Sequence, residues 1–221
     1  MELTIDSASD YAGIGLTDGG GLVHERSWYC HRRHSVEMLP AIVALLDCNG
    51  VDKRRLELIV ACTGPGSYVG LRVGVSLAKT LAYALDIPAV GVPRLRADAE
   101  RWLRRYPRVC AVHRAGRSDF AIAAYERAED GVSTLVEPIL VAAGDLLGSI
   151  PADCAVVGEA PADLVPDREG VVAVVAGVAG QRRPLNVALL GLQALDNGAS
   201  RDARDLLPVY LRPAVQQPPN R

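Results

Sequence analysis

The sequence predicts an α/β protein of two lobes, each a mixed sheet with helices on both faces, the second lobe trimmed. Three observations carry this. The first hundred residues read as three strands in hairpin order followed by alternating helices and strands. The same order restarts after residue 108. With 221 residues, 49% of them apolar, the chain has core enough for one large domain or two small ones.

Leu3-Thr4-Ile5-Asp6 opens as a strand, and Ala12–Thr17 is a second. Asp18-Gly19-Gly20-Gly21 is a hairpin signal, because glycines supply the positive φ of a tight turn. A third strand returns from Leu22 to about Cys30. Ser35 is placed to cap a helix over Val36–Cys48, closed by Asn49-Gly50. Pro40 inside it removes one backbone bond, so a kink or a late start is expected. A strand near 57–62, a glycine turn and a helix over 70–86 follow. Ile87–Val92 is a short strand, and Arg94–Arg105 a basic amphipathic helix.

Val109–Arg114, Asp119–Tyr125 and Leu135–Val141 read as strands, with a short helical stretch from Ala143. Cys154–Val157 and Val171–Val175 are later strands, and Leu185–Ala194 a helix. A doubled βββαβα plan is the half-unit order of the actin, sugar-kinase and Hsp70 class, a ribonuclease H-like α/β architecture. The division falls near 105–108, giving a first lobe over 1–105 and a reduced second lobe over 106–221. The Pro-rich segment 161–166 reads as loop, and the Pro- and Gln-rich tail 213–221 as disordered.

The turn into the 70–86 helix, Thr63-Gly64-Pro65-Gly66-Ser67-Tyr68-Val69-Gly70, could gather backbone amides and a helix N-terminus around an anion. It lacks the Lys-Ser or Lys-Thr of a Walker loop, and its glycine spacing is not the dinucleotide fingerprint. The other reading is a tight turn that lets helix and sheet pack closely. Gly66, Gly70, Gly74, Ala78 and Ala82 recur every fourth residue and so share one helix face almost without side chains. Either a partner protein docks there, or the face meets the chain's own sheet.

Net charge is −2, so bulk electrostatics give no sign of a nucleic-acid binder. Five cysteines, odd in number and widely spaced, argue for free thiols and a cytoplasmic setting, against a disulfide framework or structural zinc. No apolar run is long enough to span a bilayer and none reads as an export leader.

Four stretches together resemble a known family. They are Ile5-Asp6-Ser7, the segment His34-Ser35-Val36-Glu37-Met38-Leu39-Pro40, the glycine run Gly64–Gly74, and Tyr210-Leu211-Arg212 near the end. They are similar to the bacterial TsaB (YeaZ) proteins; the usual family form has Phe-Thr where this chain has Tyr68-Val69. The resemblance covers about residues 1–92 well and 106–200 only in strand order. It implies an actin-like accessory subunit without catalytic residues, serving threonylcarbamoyladenosine formation at adenosine 37 of tRNA. Its partners would be the catalytic paralogue TsaD and the ATPase TsaE, with tRNA contacted indirectly and a homodimer formed when alone. No cofactor is implied beyond ATP or ADP at the complex interface. TsaD carries a metal-binding His-x-x-x-His whose two positions fall here at Arg94 and Asp98, and an arginine cannot bind a metal.

On this reading the 36–48 and 70–86 helices dock TsaD through Met38, Ile42, Leu45, Gly66, Gly70, Leu71, Gly74 and Ala78. Gly74→Leu is then expected to abolish the complex and spare the fold. Asp6, Gly64, Gly66 and Ser67 are the candidates for nucleotide binding, although Asp6 is better read as capping the turn after its strand. His31-x-x-His34 precedes the helix and makes a poor metal site. Arg94, Arg96, Arg101, Arg104, Arg105 and Arg108 read as a solvated helix face rather than a tRNA contact. The rival from another class is a small ATPase or phosphotransferase of the sugar-kinase superfamily.

Overall fold

A computed structural model describes residues 1–159, 170–175 and 182–211. The segment 161–166, the tail 213–221 and Arg212 lie outside them.

Two five-stranded mixed sheets carry the fold. The first holds β1 (Glu2–Asp6), β2 (Tyr11–Asp18), β3 (Gly21–Tyr29), β4 (Leu58–Gly64) and β5 (Ala89–Pro93) in the order β3-β2-β1-β4-β5. The second holds β6 (Arg108–Arg114), β7 (Asp119–Ala128), β8 (Gly131–Ala142), β9 (Cys154–Gly158) and β10 (Val171–Val175) in the order β10-β9-β6-β7-β8. Position by position these are the same plan: β1 and β6 each pair antiparallel with the next strand and parallel with β4 or β9.

Among the described residues the α-helices are α1 (His34–Cys48), α2 (Tyr68–Leu85), α3 (Arg94–Glu100), the single turn α4 (Leu146–Ser149) and α5 (Pro184–Asp196). Ser35 does not cap α1. The helix starts at His34, two residues before the expected Val36; His34 Nε2 meets Ser9 O at 2.8 Å and ties the first turn to the loop after β1. Pro40 sits within α1 without ending it; Val36 and Pro40 are both exposed, so water can take the carbonyl that loses its partner. Ser67 Oγ caps α2 by accepting from Gly70 N at 3.2 Å. The helix ends at Asp86, whose φ of 54° is left-handed. α3 stops at Glu100, five residues short of the expected end.

The central strands of the first sheet are buried on both faces. Leu3, Ile5, Ile59 and Ala61 meet α1 and α2 through Met38, Ile42, Leu45, Val75 and Ala78. Leu58, Val60, Val90 and Val92 point the other way and pack on Val187 and Leu190 of α5. The C-terminal helix thus returns to the first sheet, which corrects its expected place in a second lobe over 106–221. Small residues let it approach: a Cβ on Gly15 would lie 2.8 Å from Pro184, and one on Gly191 2.5 Å from Val60. Beyond α5, Leu206 lies in the core of this lobe and Val209 N donates to Thr63 O at 2.7 Å, while Leu211 packs on the cluster of the second sheet.

Candidate functional site

The C-terminal ends of β1 and β4 and the start of α3 meet residues of the second sheet at one buried cluster of charges. Strand alternation puts Asp6 and Thr4 on the face opposite Leu3 and Ile5. Asp6 Oδ1 accepts from Ala8 N at 3.0 Å, so it does cap the turn after β1. The same oxygen accepts from Arg182 Nη2 at 2.9 Å, and Arg182 Nε pairs with Asp6 Oδ2. Arg182 Nη1 also lies 3.4 Å from both Asp98 Oδ1 and Glu159 Oε1. Arg94 completes the set, with Nη2 at 2.8 Å from Glu159 Oε1, Nε at 3.4 Å from Asp98 Oδ2 and Nη1 donating to Ala8 O.

Asp6, Arg94, Asp98 and Arg182 are all buried. Burial alone would raise the Glu159 carboxyl, but the Arg94 and Arg182 guanidiniums outweigh it and hold it at about 2. Burial raises Asp98 despite the same two arginines. For Arg182 burial works against the charge, and Asp6, Asp98 and Glu159 more than offset it. His113, 3.8 Å from Glu159, is driven well below the usual imidazole range by burial and by Arg94, and stays neutral at pH 7.

This donor set does not fit a metal. Arg94 and Asp98 pair with each other, and a guanidinium has no lone pair to give. No group of three or more potential ligands suited to a metal occurs among the described residues. His31 and His34 do not converge: His34 is buried on Ser9 O, while His31 is exposed and packs edge-on to Tyr29.

The glycine turn is packed by the chain itself. Ser67 N donates to Ala8 O at 2.8 Å, and a Cβ on Gly66 would overlap that carbonyl. Gly64, at φ 109°, leaves room for Leu71 and for Val209 O, each 2.8 Å from where its Cβ would be. Gly64, Gly66 and Ser67, expected as nucleotide contacts, therefore all have internal roles here.

The expected docking residues are also internal. Met38, Ile42, Leu45, Leu71 and Ala78 are buried in the monomer. A Cβ on Gly70 would overlap Ser7 O, and one on Gly74 would overlap Ser7 Oγ. The small face of α2 thus meets β1 and its following loop, and Gly74→Leu would disrupt the fold itself, contrary to expectation. The open side of the two helices is different. Val36, Leu39 and Val43 on α1 are 60%, 48% and 49% exposed, and Val69 and Tyr83 on α2 are 63% and 88% exposed. The apolar spacing at 36, 39, 40 and 43 is itself helical and was the available signal for this second face.

Residues 17–163 match the family described as "TsaD: tRNA N6-adenosine threonylcarbamoyltransferase". The chain belongs to this family. Within it the chain falls with the TsaB (YeaZ) proteins, as the sequence resemblance implied. It is 41% identical over 97 residues to the Bacillus subtilis "tRNA threonylcarbamoyladenosine biosynthesis protein TsaB", covering 44% of this chain and 42% of that protein. It is 30% identical over 132 residues to the Escherichia coli protein of the same name, covering 59% and 57%. The chain thus spans about half the length of the curated TsaB relatives it matches. Two solved structures from Pseudomonas aeruginosa share the fold. One is a protein with similarity to peptidase YEAZ (TM-score 0.82, 24% identity, 96% of this chain and 99% of that one). The other is YeaZ (TM-score 0.79, 23% identity, 94% and 99%). The fold is α/β and actin-like.

Proposed function

We propose that this chain is a non-catalytic accessory subunit for threonylcarbamoyladenosine formation at adenosine 37 of tRNA. It binds and activates TsaD and works together with the ATPase TsaE, in the cytoplasm. The buried cluster of arginines and carboxylates carries this reading. Asp6, the carboxylate best placed to orient a metal and phosphate, is bonded to Arg182 instead. The names of the TsaB relatives supply the pathway.

The docking surface in this reading is the open side of α1 and α2, centred on Val36, Leu39, Val43 and Val69. Scattered exposed apolar residues are ordinary, but Val36, Leu39 and Val43 line one face of α1, and such a stripe is the kind of surface that marks an interface. The same surface would join two copies when TsaD is absent. ATP or ADP would enter only at the interface with the partner.

Co-purification with TsaD, followed by a tRNA modification assay with and without this chain, tests the proposal. Leu39→Asp with Val43→Asp should abolish the complex and the stimulation while thermal unfolding stays near that of the parent. A complex that survives this double variant refutes the surface. Turnover of ATP by the purified chain, lost in Asp6→Ala, would establish the phosphotransferase instead.

A further inference from the structure

The arginines after α3 are not the solvated helix face that the sequence led us to expect. The helix ends at Glu100, and 101–105 wind into a turn. From this turn we infer a second binding surface: Arg101, Arg104, Arg105 and Arg127 form a site for the phosphate backbone of RNA.

Four features support it. The first is local charge. The chain as a whole carries 26 acidic against 24 basic residues, yet 101–108 holds four arginines and no acid. The second is availability. Arg101, Arg104, Arg105 and Arg127 are exposed, and among the described residues none of them has a carboxylate partner. The neighbouring acids Glu100 and Glu126 are taken by Arg96 and Arg108; Glu129 and Asp130 stand in the β7–β8 turn.

The third is rigidity. Leu103 is buried in the core beneath the turn, and Arg127 Nη1 donates to Leu103 O at 3.2 Å and Arg104 O at 3.1 Å. Trp102 N and Leu103 N donate back to Ala99 O. The fourth is aromatic support. The Arg101 guanidinium lies 4.6 Å from the Trp102 ring, and that of Arg105 lies 5.6 Å from the Tyr106 ring. A guanidinium supported on one face by a ring keeps its N–H edge free for phosphate oxygens. The turn shares no element with the α1–α2 face.

The choice of RNA among polyanions rests on the tRNA-modification reading above; the charge and rigidity of the turn do not. The test is fluorescence anisotropy of the full chain with a labelled, unmodified tRNA transcript over a series of KCl concentrations. Binding should weaken with salt, with a slope of about −2 to −3 in log K against log salt for three or four phosphate contacts. Arg101→Gln/Arg104→Gln/Arg105→Gln should weaken binding at least ~10-fold at low salt and flatten the slope by about one for each phosphate that is no longer held. The corresponding triple lysine variant should keep most of the slope.

Three results overturn the inference: no binding by the parent chain, an equal loss from Lys53→Gln/Arg55→Gln on the other lobe, or displacement of the RNA by polyglutamate at matched charge. Failure of RNA binding with the TsaD complex intact removes this inference alone. Loss of the TsaD complex with RNA binding intact removes the function proposed above alone.

Discussion

Arg182 joins Asp6 of the first sheet to Glu159, just after β9, and replacing it tests the buried cluster. In Arg182→Met, Asp6, Asp98 and Glu159 face Arg94 alone, all within a buried site. Removing one partner from a buried ion pair usually destabilises by about 3–5 kcal/mol, because the stranded charge stays out of water. Asp98 is already raised by burial and can take a proton, which softens the loss, so we expect about 3 kcal/mol. At about 2–4 °C per kcal/mol for a chain of this size, the melting temperature should fall by roughly 6–12 °C. The assay is urea unfolding followed by circular dichroism, with the slope against denaturant unchanged. Asp6→Asn added to Arg182→Met should recover part of the loss, with a coupling of about 1–2 kcal/mol between the two sites. A single variant that costs under about 1 kcal/mol, or a strictly additive double variant, would refute the claim that this cluster is a tightly coupled joint.

Acid should loosen the same joint. Glu159 contributes in full above the usual carboxyl value of 4.5 and loses its contribution as pH falls towards about 2, an effect of about 3 kcal/mol at most. Asp98 works oppositely, its buried charge being relieved by acid. Glu159→Gln should therefore flatten the acid limb of a stability-against-pH curve, and an unchanged limb refutes the assignment. Gly74→Ala should lower stability by about 1–3 kcal/mol because its methyl overlaps Ser7 Oγ; a stabilised variant in the same urea assay would contradict the packing. Of the five thiols, only Cys48 is exposed. Burial raises Cys30 and Cys154 to about 11 and Cys62 and Cys110 further. A thiol reagent should show one fast equivalent in the native protein and five in urea.

The order of elements was readable because strands and helices here keep clean periods. Leu3 and Ile5 alternate with Thr4 and Asp6 on β1, and the doubled strand plan is visible in the residue pattern itself. The direction of the glycine face was not readable. Gly70 and Gly74 state that something approaches α2 closely, and a backbone loop at Ser7 satisfies that as well as a foreign helix. Nor was the bond between Asp6 and Arg182, since no local rule joins residues 176 positions apart. The pairing of Arg94 with Asp98 was within reach, as opposite charges four apart on a helix are neighbours. Its significance was hidden because only the fold buries it beside Glu159.

The return of α5 to the first sheet bears on how the protein is made. A ribosome that has finished β5 has released every strand of that sheet, yet Val60, Val90 and Val92 still lack the Val187 and Leu190 that cover them. Arg182, the counter-charge for Asp6, emerges just ahead of that helix. The strands of the first sheet therefore wait, with one oily side bare, until residues 184–196 have been synthesised. Premature stop codons before residue 184 should yield aggregates or degradation products rather than a smaller folded unit.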